Sequence, residues 1–67
     1  MNKDIINEFY NLALIDLVNG RPRHELYEAI EIYEESEDYE ACAGILKALH
    51  ESEYMTIKEI KKKLTDD

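Results

Sequence analysis

The chain has 67 residues, a formal net charge of −8 and one cysteine. This length fits one domain, and a domain of this size buries only about 60% of the surface that its unfolded chain exposes. One cysteine excludes an internal disulfide, and no cluster of Cys and His residues offers a zinc site. The chain is therefore expected either to pack its helices very well or to share a core with another chain.

The negative charge is concentrated in one block. Between Glu25 and Tyr54 there are ten acidic residues and a single base, Lys47. Such a block repels a free nucleic-acid backbone or an anionic membrane and attracts a basic protein surface, so neither nucleic acid nor membrane is expected as a direct partner. No basic segment followed by an apolar run opens the chain, and no stretch approaches the ~20 apolar residues of a membrane span, so we expect a cytoplasmic protein.

The first predicted helix covers residues 3–18. Its apolar side chains cover roughly 200° of the circumference or more, which is too much for a lone surface helix. This helix is expected to be central in the fold or to form a homodimer seam, with Ile6 and Leu17 as the positions at which to test the seam. Asn19 and Gly20 are expected to end it, because glycine accepts the left-handed conformation at a helix C-terminus.

The second predicted helix covers residues 22–35, with Pro22 at its first position, where the missing N–H costs nothing. Leu26, Ala29, Ile30 and Tyr33 form its apolar stripe. The opposite arc carries Glu25, Glu28, Glu31, Glu34 and Glu35. Ile32 falls within this acidic arc and Tyr27 at its border, so neither joins the core easily. Apolar side chains within an acidic face are typical of a recognition surface, although single exposed apolar residues are also common.

The third predicted helix covers residues 39–51, after a break in which Ser36 or Asp38 caps it. Its buried stripe is predicted to be Tyr39, Cys42, Ala43, Leu46 and Leu49. Gly44 lies off this stripe. A glycine in a helix interior costs about 1 kcal/mol relative to alanine, so Gly44 marks either a close helix–helix approach or a tolerated glycine.

The fourth predicted helix begins at a capping box, in which Thr56 is followed three residues later by Glu59. Its four lysines are expected to balance the acidic block, within the chain or between copies. The lysines are Lys58, Lys61, Lys62 and Lys63. The predicted fold is therefore all-α: residues 1–67 form a single acidic domain, a small bundle of three main helices plus a short C-terminal one.

Few residues are arranged for chemistry. His24 to Glu28 resembles a metalloprotease helix but lacks the second histidine four residues on. The acidic pairs on the second helix lie opposite its apolar stripe and point to water, and Cys42 falls within a core stripe. We expect no enzymatic activity, no cofactor and no bound metal.

Residues 37–43, Glu-Asp-Tyr-Glu-Ala-Cys-Ala, resemble the start of the second helix of the UVR motif. This motif is a short helical hairpin found in excision-repair proteins and in some protease adaptors, and the similarity extends over residues 34–49. The chain departs from the motif at Leu46 and Lys47, where the family usually has Arg-Asp. The resemblance implies a hairpin of the second and third helices that contacts another protein; it does not imply a role in repair.

The leading functional prediction is a small acidic protein-interaction module, in its sharpest form an inhibitor or decoy that occupies the nucleic-acid-binding surface of a partner. Two alternatives stay open: a self-assembling structural or virion-type subunit that pairs through the first helix, and a regulatory adaptor with a UVR-like hairpin. The predicted partner-binding residues are Glu25, Tyr27, Glu28, Glu31, Ile32, Glu35 and Tyr54. Tyrosine is common in such interfaces.

Overall fold

The computed structural model describes residues 1–65, which form four α-helices and no strand. The helices are α1 (Lys3–Val18), α2 (Arg23–Glu35), α3 (Tyr39–Ser52) and α4 (Ile57–Thr65). The all-α prediction is confirmed, and the predicted bounds of α1 hold. Pro22 was wrongly placed inside α2, because its backbone is extended (φ −61°, ψ 141°) and the helix begins one residue later.

Two helix ends share one hydrogen-bond pattern, the Schellman motif. After α1, the N–H groups of Gly20 and Arg21 donate to the carbonyls of Leu17 and Asp16, at 3.1 and 2.9 Å. Gly20 has φ +89°, as its role as a helix stop predicts. After α2, the same pattern places Glu37 at φ +58°, a left-handed conformation that side chains with a Cβ rarely adopt.

The predicted caps are only partly realised. Asp38 occupies the N-cap position of α3, but its side chain makes no capping hydrogen bond. The capping box of α4 is confirmed: the Glu59 N–H donates to Thr56 Oγ1 at 3.2 Å, and the Thr56 N–H donates to Glu59 Oε1 at 3.4 Å.

Helix α3 lies at the centre of the fold. Helices α1 and α2 both pack mainly against α3 and far less against each other, while α4 packs chiefly against α1. The buried core cluster draws on all four helices and consists of Tyr10, Ala13, Leu14, Leu26, Ile30, Ile45, Ala48, Leu49 and Ile60. Among residues 1–65, no helix has the length and apolar character needed to cross a membrane.

The predicted buried stripe of α3 is wrong in position. The buried residues are Ala41, Gly44, Ile45, Ala48, Leu49 and Ser52. Tyr39 and Leu46 are 55% and 52% exposed, and Cys42 and Ala43 are half-buried. Of the predicted set, Leu49 alone is fully buried. The prediction gave most weight to the large apolar residues of α3, whereas the small residues of this helix face the core.

Gly44 is the reason for this orientation. A Cβ atom at Gly44 would clash with the carbonyl oxygen of Ile6 and would lie 2.8 Å from Phe9 Cβ and 2.9 Å from the backbone nitrogen of Tyr10. The backbone of α1 therefore approaches α3 more closely than any other residue at this position allows. The predicted close helix–helix approach at Gly44 is confirmed.

Candidate protein-binding surfaces around helix α2

The outer face of α2 carries an acidic surface that the fold does not neutralise. Glu28, Glu31, Glu34 and Glu35 are exposed, and none of them forms an ion pair with any residue from 1 to 65. Glu25 differs, because its Oε1 accepts from Arg21 Nε at 3.1 Å. We call the four unpaired carboxylates the α2 acidic face. They are spaced three and four residues apart, so they repel one another along the helix and attract cations from outside.

The lysines of α4 leave this face unbalanced. One of them, Lys63, forms a salt bridge of 2.7 Å with Glu51 near the end of α3. Because α4 packs chiefly against α1, its other lysines point to solvent and form no salt bridge within the described part of the chain. Within residues 1–65, α4 thus neutralises one acid of the block, Glu51.

Glu51 belongs to a cluster that holds α4 in place. Its Oε1 accepts from the Tyr10 hydroxyl at 2.6 Å and from Lys63 Nζ at 2.7 Å. The ammonium groups of Lys47 and Lys63 also lie 4.7 and 5.1 Å from the centre of the Tyr10 ring, within cation–π range. Three helices meet at this point, and the sequence gives no sign of it because the partners are far apart in the chain.

The cluster shifts the pKa values of its members in consistent directions. The hydrogen bonds from Lys63 and then Tyr10 lower the pKa of Glu51. Burial first, and the bond to Glu51 second, raise the pKa of Tyr10. The bond to Glu51 raises the pKa of Lys63. All three shifts favour a carboxylate that is charged and held by two donors.

The two sides of α2 face different neighbours. On one side, Arg23 Nη1 donates to the Leu49 carbonyl at 3.2 Å, and the Cys42 thiol donates to the Ile30 carbonyl at 3.5 Å. These contacts mark the side beside α3. On the other side, Arg21 links Glu25 to Asp16 of α1, with 2.9 Å between Arg21 Nη1 and Asp16 Oδ2.

This arrangement spreads six of the predicted partner-binding residues across the outer face of α2, from its edge beside α3 to its edge toward α1, and leaves Tyr54 elsewhere. Tyr27 and Glu31 share the side beside α3, because Tyr27 follows Arg23 by four residues and Glu31 follows Tyr27 by four. Glu28 and Ile32 follow Glu25 by three and seven residues, so this trio lies on the side toward α1. Glu35 lies between the two sets, facing outward. Tyr54 lies apart from both, in the α3–α4 connection, with its ring 5.8 Å from that of His50.

An apolar groove separates α1 from α2. It encloses about 200 Å³ and is lined mainly by Phe9, Leu12, Ala13, Leu26, Ala29, Tyr33 and Ile45. One end is closed by the Phe9 and Tyr33 rings, whose centroids are 5.5 Å apart in an edge-on contact. The bridge from Asp16 through Arg21 to Glu25 closes the other end. We call this feature the α1–α2 groove; the sequence pattern did not indicate it.

Clusters of metal-ligand side chains and the Cys42 thiol are the features that could carry chemistry. Within residues 1–65, no group of three or more His, Cys, Asp or Glu residues is placed to hold a metal ion. Burial, followed by the charges of Glu34 and Asp38, raises the pKa of the Cys42 thiol. A raised pKa disfavours the thiolate, which is the nucleophilic form of cysteine.

Comparison of the chain with protein-family models, with curated proteins and with solved structures gives no match. The resemblance of residues 34–49 to the UVR motif therefore stays a prediction. Helices α2 and α3 do form a hairpin, but successive helices joined by a short turn form one in many folds.

Proposed function

We propose that this chain is a non-enzymatic protein-interaction module that binds a basic surface of a partner protein through α2. In its sharpest form it is an inhibitor or decoy that occupies the surface with which the partner binds nucleic acid. The observation that supports this proposal is the α2 acidic face: four exposed carboxylates without a cation in residues 1–65. A row of closely spaced carboxylates presents the same sign of charge as a nucleic-acid backbone.

Ile32 adds an apolar contact within this surface. It is 63% exposed and is surrounded by acidic residues of α2. Interfaces combine an apolar centre with a polar rim, and the opposite charges across them speed association rather than supply most of the affinity. Binding is therefore expected to be fast and to weaken as the salt concentration rises.

The test reverses the charge of the α2 acidic face. The triple variant Glu28→Lys/Glu31→Lys/Glu35→Lys is used as bait in a pull-down from a cell lysate, beside the wild-type chain. The wild type is expected to capture proteins with basic surfaces, and the variant is expected to lose them. For the decoy form, a short DNA or RNA oligonucleotide should displace the chain from the captured partner.

The matched control applies the same change in charge outside α2, with Asp4→Lys/Glu37→Lys/Glu53→Lys. These three acids are exposed and form no salt bridge in the described structure. Circular dichroism checks that both variants keep their helices. Equal capture by the wild type and the α2 variant would contradict the proposal, as would equal losses in the two triple variants.

A second candidate function is self-association, as a structural or virion-type subunit that pairs through α1. The observation that favours it is a row of exposed apolar residues on the outer face of α1, namely Ile5, Leu12 and Ile15. Their spacing of seven and three residues is that of a coiled-coil seam. The positions that the sequence suggested, Ile6 and Leu17, are partly buried instead, and Leu17 packs on the core.

Sedimentation equilibrium over a concentration series, at low and at high salt, tests this second candidate. A homodimer should appear in the wild type, more strongly at high salt where the repulsion between acidic copies is screened. The variant Leu12→Lys/Ile15→Lys should be a folded monomer. A wild-type monomer at the highest concentration in both salts would contradict pairing through α1.

A further inference from the structure

The α1–α2 groove has the shape of a receptor for apolar side chains. Its floor consists of residues that are buried or half-buried, among them Ala13, Leu26 and Ile45. Its two ends are closed, one by aromatic rings and one by an ionic bridge, while its middle is open to solvent. Pockets for whole small molecules enclose roughly 300–1,000 Å³. The volume of about 200 Å³ in this groove suits one or two large apolar side chains of another protein.

Exposed apolar residues lie on both helices that border the groove. Leu12 of α1 lines it and is 57% exposed, and Ile32 is on the side of α2 that faces α1. A protein partner seated in the groove would remove apolar surface of both residues from water. Two apolar edges around an apolar floor are the arrangement at the centre of an interface.

The charges near the groove select the occupant. Glu28 lies one helical turn before Ile32, on the side of α2 toward α1, and forms no salt bridge within residues 1–65. At the end of the groove that the ionic bridge closes, Asp16 and Glu25 share the single cation of Arg21. A second copy of this chain, with its net charge of −8, would bring like charges together. An occupant with cationic side chains would be attracted.

The walls of the groove also favour a helix as the occupant. All backbone groups in the middle of α1 and α2 are engaged within their own helices, so the groove has no free strand edge with which an extended peptide could pair. Two neighbouring helices that diverge over a third accept another helix by packing side-chain ridges into grooves.

We propose that the α1–α2 groove seats the apolar side chains of an amphipathic helix whose flanking residues are lysine or arginine. The proposal rests on the proposed function, because it names the form in which the partner presents its basic surface. Apolar side chains of that helix fill the space above Ala13 and Ala29, and its cations face Glu28 and the Asp16–Glu25 end of the groove. This mode adds an apolar anchor to an electrostatic contact.

The test uses two synthetic peptides of roughly 14 residues, long enough for about four helical turns. One carries leucine at positions i, i+3, i+4 and i+7 and lysine between them, the spacing of an amphipathic helix, and the other has serine in place of every leucine, so their charges are equal. The wild-type chain should bind the leucine peptide about tenfold more tightly than the serine peptide in a titration. In the methyl NMR spectrum, the signals of Ala13 and Ala29 should shift, whereas that of Ala43 on the outer side of α3 should not.

Two variants remove the groove in different ways. Ala29→Phe fills the groove. Leu12→Ser/Ile32→Ser removes the exposed apolar side chains at its edges, where substitution costs little stability. Both should reduce the preference for the leucine peptide to less than about twofold while the salt-dependent binding of the serine peptide persists. The control Leu46→Ser, on an exposed apolar residue of α3 outside the groove lining, should keep the full preference.

The outcomes separate this proposal from the proposed function. No preference between the peptides, or a preference that survives both groove variants, would overturn the groove as the seat of the helix. If the two peptides bind equally and the Lys triple variant of α2 binds neither, the groove proposal fails and the electrostatic role of α2 stands. If neither peptide binds the wild type, the groove proposal fails, and the lysate pull-down decides the proposed function.

Discussion

Helix α1 packs differently against its two neighbours. Toward α3 the backbones come so close that Gly44 leaves no room for a methyl group. Toward α2 the helices separate and leave a groove of about 200 Å³. On the side of α3, the small residues Ala41, Gly44 and Ala48 are buried over about two turns. By contrast, α1 and α2 are joined mainly by one aromatic pair and one arginine.

This difference indicates which parts of the chain serve the fold and which are available to a partner. Close backbone approach along α1 and α3 removes the most surface from water and excludes solvent. Helix α2 adds Leu26 and Ile30 to the core but keeps its outer face and the side toward α1 accessible. The surfaces proposed for binding are therefore on the less tightly packed side of the molecule.

Substituting Gly44 should disrupt the close contact between α1 and α3 and have the largest effect on stability. In an isolated helix, Gly→Ala stabilises by about 1 kcal/mol. Here the new methyl group meets the backbone of α1 at Ile6 and Tyr10, which cannot rotate away. Gly44→Ala is expected to lower the free energy of unfolding by about 3 kcal/mol, the upper end of typical overpacking costs. Urea denaturation followed by circular dichroism measures it.

The neighbouring Ala43 provides the control, because it is on the same helix but is not among its buried residues. Ala43→Gly should cost about 1 kcal/mol from helix propensity alone. A Gly44→Ala variant as stable as the wild type, or more so, would show that the two helices are not in close contact.

Glu51→Gln should weaken the cluster of Tyr10, Glu51 and Lys63, which holds α4 against α1 and α3. Glutamine keeps an acceptor for Tyr10 but loses the charge that Lys63 binds, so the expected loss at neutral pH is about 1 kcal/mol. The pKa of Glu51 is lowered from its ordinary value of 4.5 in the folded state. Its contribution to stability is therefore present above pH 4.5 and is lost as the pH falls through the lower, folded-state pKa.

Urea unfolding at neutral pH and at about pH 3 checks this prediction. The difference between the wild type and Glu51→Gln should be largest at neutral pH and should shrink as the pH is lowered below 4.5, because the pKa of Glu51 is lowered in the folded state. Glu53→Gln, at an exposed acid without a salt bridge in the described residues, should match the wild type at both values. A difference that stays constant with pH would argue against the charged cluster.

The sequence predicted the helices better than their orientation. The C-terminus of α1 and the N-terminus of α4 were predictable, because Gly20 and the Thr56–Glu59 pair act on the backbone next to them in the sequence. The inward face of α3 was not, since burial there depends on the fit of Gly44 against α1, and a pattern of large apolar residues gives little weight to alanine and glycine. The exposed state of Ile32 and Tyr27 was predictable from α2 alone. Their separation onto two sides depends on the positions of α1 and α3.

The smallest effect on stability is expected at the α1–α2 groove, where Ala29→Leu adds three carbon atoms. The groove has room for them, and leucine is nearly as good a helix former as alanine, so the free energy of unfolding should change by less than about 0.5 kcal/mol. The same substitution at the fully buried Ala48 should cost about 2 kcal/mol, because no space remains there. Equal losses at Ala29 and Ala48 in urea denaturation would mean that α1 and α2 close together in solution. In that case α1 would pack as closely on α2 as on α3, and the proposed binding site for a partner helix would not exist.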